Sequence, residues 1–78
     1  MQQTDQKHEQ FTGVVENAVE EAGTFWIRTD SGETLFSHRN YTRKRELPEK
    51  GARVAGSIKR VQDVNSQDGA RNVEVCNG

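Results

Sequence analysis

Residues 24–38, TFWIRTDSGETLFSH, decide the fold of this chain. Residues 24–29 are dense in β-branched and aromatic side chains, which favour an extended strand. Residues 30–33, DSGE, have the composition of a tight turn, and a second apolar segment follows at residues 34–38. Two strands joined by a few residues that contain Asp and Gly form a β-hairpin. The stretch therefore predicts such a hairpin.

Three further strands are predicted on either side of this hairpin, at residues 11–17, 53–61 and 70–76. Residues 17–23 are predicted to be a loop and residues 63–69 a long turn. Residues 39–52 are predicted to form one long polar and basic loop, the basic loop, which holds the only proline. Five short strands without a convincing helix favour closure into a barrel. We predict an all-β chain that forms a closed five-stranded antiparallel barrel.

Length and composition limit the organisation of the chain. Seventy-eight residues make one domain, and the apolar fraction of 31% lies below the ~45–50% typical of globular domains. A barrel tolerates this composition because only one face of each strand has to be apolar. Residues 1–10 are polar and lack periodicity, so we predict a disordered tail at 1–10 and a barrel domain at 11–76.

Several functional classes find no support in the sequence. The single cysteine, Cys76, excludes an intramolecular disulfide, and neither it nor His8 and His38 has the spacing of a metal site. No apolar run is long enough to span a membrane, and the N-terminus lacks the apolar stretch of a secretion signal. We expect a cytoplasmic monomer without cofactor or metal. No nucleophile–base set surrounds His38, so no catalytic residue is predicted.

Positive charge is concentrated in one part of the chain. The net charge is −1, but residues 35–62 carry eight Lys or Arg against two carboxylates, a local net charge of +6. Residues 35–45 contain no acid at all. Such a patch is the expected footprint of phosphate contact, although a solvated basic loop would have the same composition.

Alternation along the hairpin assigns its side chains to two faces. The barrel can bury Phe25, Ile27 and Leu35 together. The outer face then carries Trp26, Arg28, Phe36 and His38, with Tyr41 and the basic loop beside it. Exposed aromatic side chains on adjacent strands suit base stacking, which accepts any base. The opposite assignment, with the Trp and Phe36 inside, stays open at this point, as do purely structural roles for His38 and Tyr41.

Four segments, in order, resemble the cold-shock domain family. Residues 13–27, GVVENAVEEAGTFWI, are similar to the family's opening Gly-Thr-Val-Lys-Trp-Phe-Asn and, after a short loop, Lys-Gly-Phe-Gly-Phe-Ile. Residues 35–39, LFSHR, resemble its Val-Phe-Val-His-Phe motif. Residues 50–54, KGARV, resemble its Gly-x-x-Val segment at the start of strand four, and residues 70–73, ARNV, its Ala-x-Asn-Val ending. The resemblance spans residues 11–75.

This resemblance implies a cold-shock-like OB-fold barrel that binds single-stranded RNA or DNA, with an RNA-chaperone-like role. It assigns base stacking to Trp26, Phe36 and His38. Three positions depart from the family, because Asn17, Thr24 and Arg39 replace aromatic residues. In a fourth departure, a phenylalanine at position 25 replaces a small inward glycine.

We predict a nucleic-acid-binding module without catalytic activity. Its predicted binding residues are Trp26, Arg28, Phe36, His38, Arg39, Tyr41, Arg43, Lys44 and Arg45. The alternative is a protein-interaction barrel that uses the same face, because Trp, Tyr and Arg are also the favoured anchors of protein interfaces.

Overall fold

The computed structural model describes residues 9–60 and 68–76 as a closed five-stranded barrel. In chain order the strands are β1 (Glu9–Val19), β2 (Thr24–Thr29), β3 (Thr34–His38), β4 (Arg53–Lys59) and β5 (Gly69–Val75). A single-turn 3-10 helix, Arg39–Tyr41, follows β3 directly. Around the barrel the order is β1-β2-β3-β5-β4, which is consistent with an OB-like barrel. The predicted all-β, five-stranded barrel is confirmed.

One pairing corrects the prediction that the barrel is purely antiparallel. Four neighbouring pairs are antiparallel, but β3 and β5 run parallel and meet at Phe36 and Gly69. Beside this junction the Phe36 N–H donates to the carbonyl oxygen of Asp68 at 3.1 Å. The reason is geometric. In a closed ring with an odd number of strands, alternating directions cannot be completed, so at least one pair must be parallel.

The first strand is longer at both ends than residues 11–17. Glu9 and Gln10, which were predicted to lie in the tail, pair with β4 opposite Ile58 and Ser57. At the other end β1 continues to Val19, into the segment predicted as a loop, because it keeps pairing with β2. The rest of the predicted tail, residues 1–8, and most of the predicted turn at residues 63–69 lie outside the described residues.

Within residues 9–60 and 68–76, eight buried apolar side chains contributed by all five strands form the core. They are Phe11, Val15, Phe25, Ile27, Leu35, Val54, Ala70 and Val73. Phe25, Ile27 and Leu35 have no exposed surface, which confirms the inward assignment of the hairpin and excludes the opposite one. Ser37 also points inward, and its hydroxyl donates to the carbonyl oxygen of Ala70 at 3.0 Å. That bond satisfies a buried polar group that would otherwise be costly.

Arg60, which follows β4, forms hydrogen bonds and ion pairs with residues at or near the ends of three other strands. Arg60 forms two hydrogen bonds with the carboxylate of Glu9, both at 2.8 Å, and a third with Asp68 at 2.6 Å. It also contacts Glu33 in the β2–β3 turn. These three carboxylates raise the pKa of Arg60 above its ordinary value. The cluster joins the start of β1 to the turn and to the residue before β5.

We expect the paired residues Glu9 and Gln10 to contribute measurably to stability. A chain that lacks residues 1–10 should unfold more readily than a chain that lacks residues 1–8, by about 1 kcal/mol, or roughly 4–8 °C in melting temperature. The longer deletion removes ladder pairing to β4 and leaves Arg60 without its two bonds to Glu9. Thermal unfolding followed by circular dichroism checks this. Equal melting temperatures would show that neither residue stabilises the barrel.

A second polar cluster joins β1, β4 and the β2–β3 turn at Asp30. The Thr12 hydroxyl donates to the Asp30 carboxylate, and the Arg53 guanidinium lies 2.6 Å from the same oxygen. Both interactions lower the pKa of Asp30. The charge of Arg53 is thus compensated locally, so Arg53 adds little to the excess positive charge of residues 35–62.

Candidate nucleic-acid interface

The outer face of β1, β2 and β3 carries the predicted aromatic residues in one cross-strand row. Trp26 pairs with Asn17 on β1 and with Phe36 on β3, and Phe36 meets Gly69 on β5. Two parallel rows flank it, and they contain Val14, Arg28 and Thr34 on one side and Val19, Thr24 and His38 on the other. Asn17 lies at one end of this row and Gly69, which has no side chain, lies at the other end, so the aromatic pair occupies the middle of the face.

Trp26 and Phe36 contact each other directly. Their ring centroids are 5.5 Å apart with an interplanar angle of 65°, an edge-to-face arrangement. Both side chains are half-buried. Because the rings are steeply inclined, one planar base cannot lie flat on both. The pair therefore does not form a single flat surface.

His38 occupies the edge of this face, next to the 3-10 helix. Its Nδ1 accepts a hydrogen bond from the Asn40 N–H at 3.0 Å. A neutral His38 therefore carries its proton on Nε2, which is left to donate to a ligand. Gly23 lies against it with φ of +72°, and a Cβ at that position would come within 3.1 Å of Nε2. The glycine before β2 thus makes room for the imidazole.

Arg28 lies on the face but is already paired. A β-bulge between Val15 and Asn17 inserts Glu16 as an extra residue of β1. Two nitrogens of Arg28 lie 2.8 and 2.9 Å from one carboxylate oxygen of Glu16. The charge of Arg28 is therefore compensated by Glu16 in the free protein.

The basic loop is attached to β5 by its backbone. Thr42 forms a parallel bridge with Val73, and the Arg43 N–H donates to the Val73 carbonyl oxygen at 2.8 Å. The Arg43 side chain lies 3.3 Å from the carboxylate of Glu74. In the part of the chain that the structure describes, no carboxylate lies within ion-pair distance of Arg39, Lys44 or Arg45.

Sequence reasoning missed Arg71 and Asn72 of β5. The guanidinium carbon of Arg71 lies 4.1 Å from the centre of the Tyr41 ring, and the Tyr41 ring lies 6.2 Å from that of His38. Alternation along the last strand would have placed Arg71 outward, next to the buried Ala70. No feature of the sequence indicates that it meets Tyr41, thirty residues earlier.

The structure thus brings six of the nine predicted residues together in two groups and leaves Arg28, Arg39 and Lys44 aside. The first group is the aromatic row with His38 at its edge, and the second surrounds Tyr41, where Arg43, Arg45 and Arg71 meet. Arg28 belongs to the opposite flank of the face. Lys44 lines a neighbouring cleft of about 650 Å³ together with the half-buried Leu47.

Comparisons with known proteins do not assign the chain to a family. No protein-family model matches it, and neither does any curated protein. Among residues 9–60 and 68–76, no helix is long and apolar enough to cross a membrane. The same residues contain no group of three or more His, Cys, Asp or Glu side chains that could hold a metal ion. The fold and the site therefore define a class of protein, the small closed β-barrels with an aromatic pair on the outer face.

Proposed function

We propose that this protein binds single-stranded RNA or DNA on the outer face of β1, β2 and β3. The observation that carries the proposal is the contact between Trp26 and Phe36 on the outer surface of the barrel. Neither side chain belongs to the buried core. Stacking of a base on an aromatic ring contributes roughly 1–3 kcal/mol and tolerates any base. Bases of an unpaired strand are the ligands that suit two inclined, half-buried rings.

The arrangement of charge supports phosphate contact beside these rings. Arg39, Lys44, Arg45 and Arg71 have no carboxylate within ion-pair distance among the described residues. The chain as a whole has a net charge of −1, so attraction of a strand depends on this local excess. Binding should consequently be weak at high ionic strength and strong only when salt is low.

The proposal includes no catalytic step. Nδ1 of His38 accepts a hydrogen bond from the backbone N–H of Asn40, and the aromatic ring next to the imidazole is that of Tyr41. We propose that the protein acts by holding strands unpaired in the cytoplasm, in the manner that its resemblance to cold-shock proteins implies. Loss of the aromatic face should therefore abolish strand opening along with binding.

A protein-interaction barrel is the second candidate, and one observation favours it. Val14 and Val19 flank the aromatic row and are 37% and 40% exposed, although valine neither stacks on bases nor binds phosphate. An apolar rim around a central Trp would suit a protein anchor. Ionic strength separates the two candidates, because phosphate-led binding weakens steeply with salt whereas an aromatic-anchored protein interface does not.

Removing charge from the basic loop tests the proposal. We expect the double variant Lys44→Gln with Arg45→Gln to weaken binding to all single-stranded sequences alike. It should also reduce the slope of log K against log salt by about 1–1.5, since each phosphate contact on a single strand contributes roughly 0.7. Fluorescence anisotropy of a labelled oligonucleotide at several salt concentrations measures this.

The matched control removes the same charge outside the loop. In Lys59→Gln with Arg53→Gln, one charge comes from an exposed lysine at the end of β4 and the other from an arginine already paired with Asp30. We expect this control to leave the slope nearly unchanged. An equal loss of slope in both variants would mean that the basic loop makes no specific phosphate contact.

A further inference from the structure

A concave pocket of about 420 Å³ lies where the basic loop meets β5. Its lining includes Asn40, Tyr41, Arg43, Arg45, Arg71 and Asn72. Among the residues that the structure describes, no carboxylate lines it. Three arginines and two asparagines therefore line one open concavity beside the Tyr41 ring.

Two features hold the arginines of this pocket in place. The Arg71 guanidinium lies over the Tyr41 ring at 4.1 Å, an arrangement that restricts the motion of its plane. Arg43 is anchored through its backbone N–H, which donates to Val73. Its side chain has only a 3.3 Å contact with Glu74, and both partners of that pair are largely exposed. An incoming anion can therefore compete for Arg43.

The backbone around the pocket is strained. Arg45 and Asn72 have φ angles of +56° and +53°, and within residues 9–60 and 68–76 they are the two residues other than glycine with positive φ. Side chains with a Cβ adopt this region at an energetic cost, and such costs are retained where the conformation serves a function. Both strained residues line the same pocket.

We infer that this pocket is a binding site for a phosphate group. A guanidinium donates two parallel hydrogen bonds to phosphate oxygens, and the Asn40 and Asn72 amides offer neutral donors beside it. The inference rests on the proposed function for the source of the phosphate, which is the strand held on the aromatic face. Because the Tyr41 ring lies 6.2 Å from that of His38, the pocket continues the face at its edge. The phosphate is either a diester within the strand or the monoester at its end.

Inorganic phosphate tests the pocket by itself. In two-dimensional NMR at constant ionic strength, phosphate should shift the signals of Arg45, Arg71 and Asn72 in a saturable way, and chloride should not. Arg71→Gln should weaken this binding about tenfold or more, and Arg71→Lys should restore it only in part, because the charge returns without the planar donor pair. Lys50→Gln is the charge-matched control and should bind phosphate as the native chain does. Unchanged signals in the pocket, or equal binding by the Arg71→Gln variant, would overturn the inference.

Short single strands then identify the source. If a 5′- or 3′-phosphorylated oligothymidylate binds more tightly than its hydroxyl-ended form, and Arg71→Gln abolishes the difference, the pocket holds the terminal monoester. If Arg71→Gln weakens both forms equally, the pocket holds an internal diester. Trp26→Ala should weaken oligonucleotide binding while phosphate still shifts the pocket signals. Oligonucleotide binding without any phosphate effect contradicts the pocket alone, whereas phosphate binding without oligonucleotide binding contradicts the proposed function alone.

Discussion

Replacing Phe25 with alanine should lower the free energy of unfolding by about 3–5 kcal/mol, the range for removing a large buried aromatic side chain. Phe25 has no exposed surface and lies among the eight apolar residues of the core. Native domains have only about 5–15 kcal/mol of stability in total, and a chain of this size has little reserve. The variant should therefore be partly unfolded at room temperature. Urea denaturation followed by circular dichroism measures the loss.

The matched comparison is the neighbouring residue on the opposite face. Trp26→Ala should cost far less stability than Phe25→Ala, because the Trp26 side chain is only half-buried and lies on the outer face against Phe36. Ile27→Ala, on the same inward face as Phe25, should cost roughly 2–4 kcal/mol. If Trp26→Ala proves the most destabilising of the three, the aromatic row belongs to the core and is not a binding face.

Removing either ring of the aromatic row should have the largest effect on binding. Trp26→Ala and Phe36→Ala should each weaken binding to a single-stranded oligonucleotide by about 1–3 kcal/mol, which is roughly 5- to 150-fold. The loss should be similar for different sequences, because every base can stack. Since the two rings are 5.5 Å apart, the double variant should lose less than the sum of the two single losses. Calorimetric or anisotropy titrations at low salt measure these constants.

Two valines on the same face provide the control. Val14→Ser and Val19→Ser remove exposed apolar surface beside the rings without touching the rings themselves. For nucleic-acid binding we expect less than a twofold change, because valine offers no flat surface for a base. A loss comparable to that of Trp26→Ala would indicate that an apolar anchor, as in a protein interface, dominates the face.

The central hairpin was predictable from local sequence. The segments 24–29 and 34–38 form β2 and β3 with the predicted bounds, because dense β-branched and aromatic residues bounded by turn chemistry leave one interpretation. Alternation along these strands also placed Phe25 inward and Trp26 outward correctly. The start of β1 was not predictable, because Glu9 and Gln10 are polar and become strand only through pairing with β4.

The site was predictable where it depends on strand alternation and unpredictable where it depends on distant contacts. Trp26 and Phe36 face each other because of the hairpin register, which turn length determines. The pairing of Arg28 with Glu16 arises from a bulge, and the stacking of Arg71 on Tyr41 arises from the parallel approach of the loop to β5. Neither event leaves a local pattern in the sequence.

Fluorescence of Trp26, the only tryptophan of the chain, tests the central claim most directly. Titration with a short single-stranded oligonucleotide at low salt should quench its emission in a saturable way as a base covers the ring. The quenching should disappear as salt rises, and a pre-formed duplex of the same sequence should quench far less because its bases are already stacked. Unchanged emission at saturating oligonucleotide, with no binding detected at low salt, would contradict nucleic-acid binding and favour a protein partner.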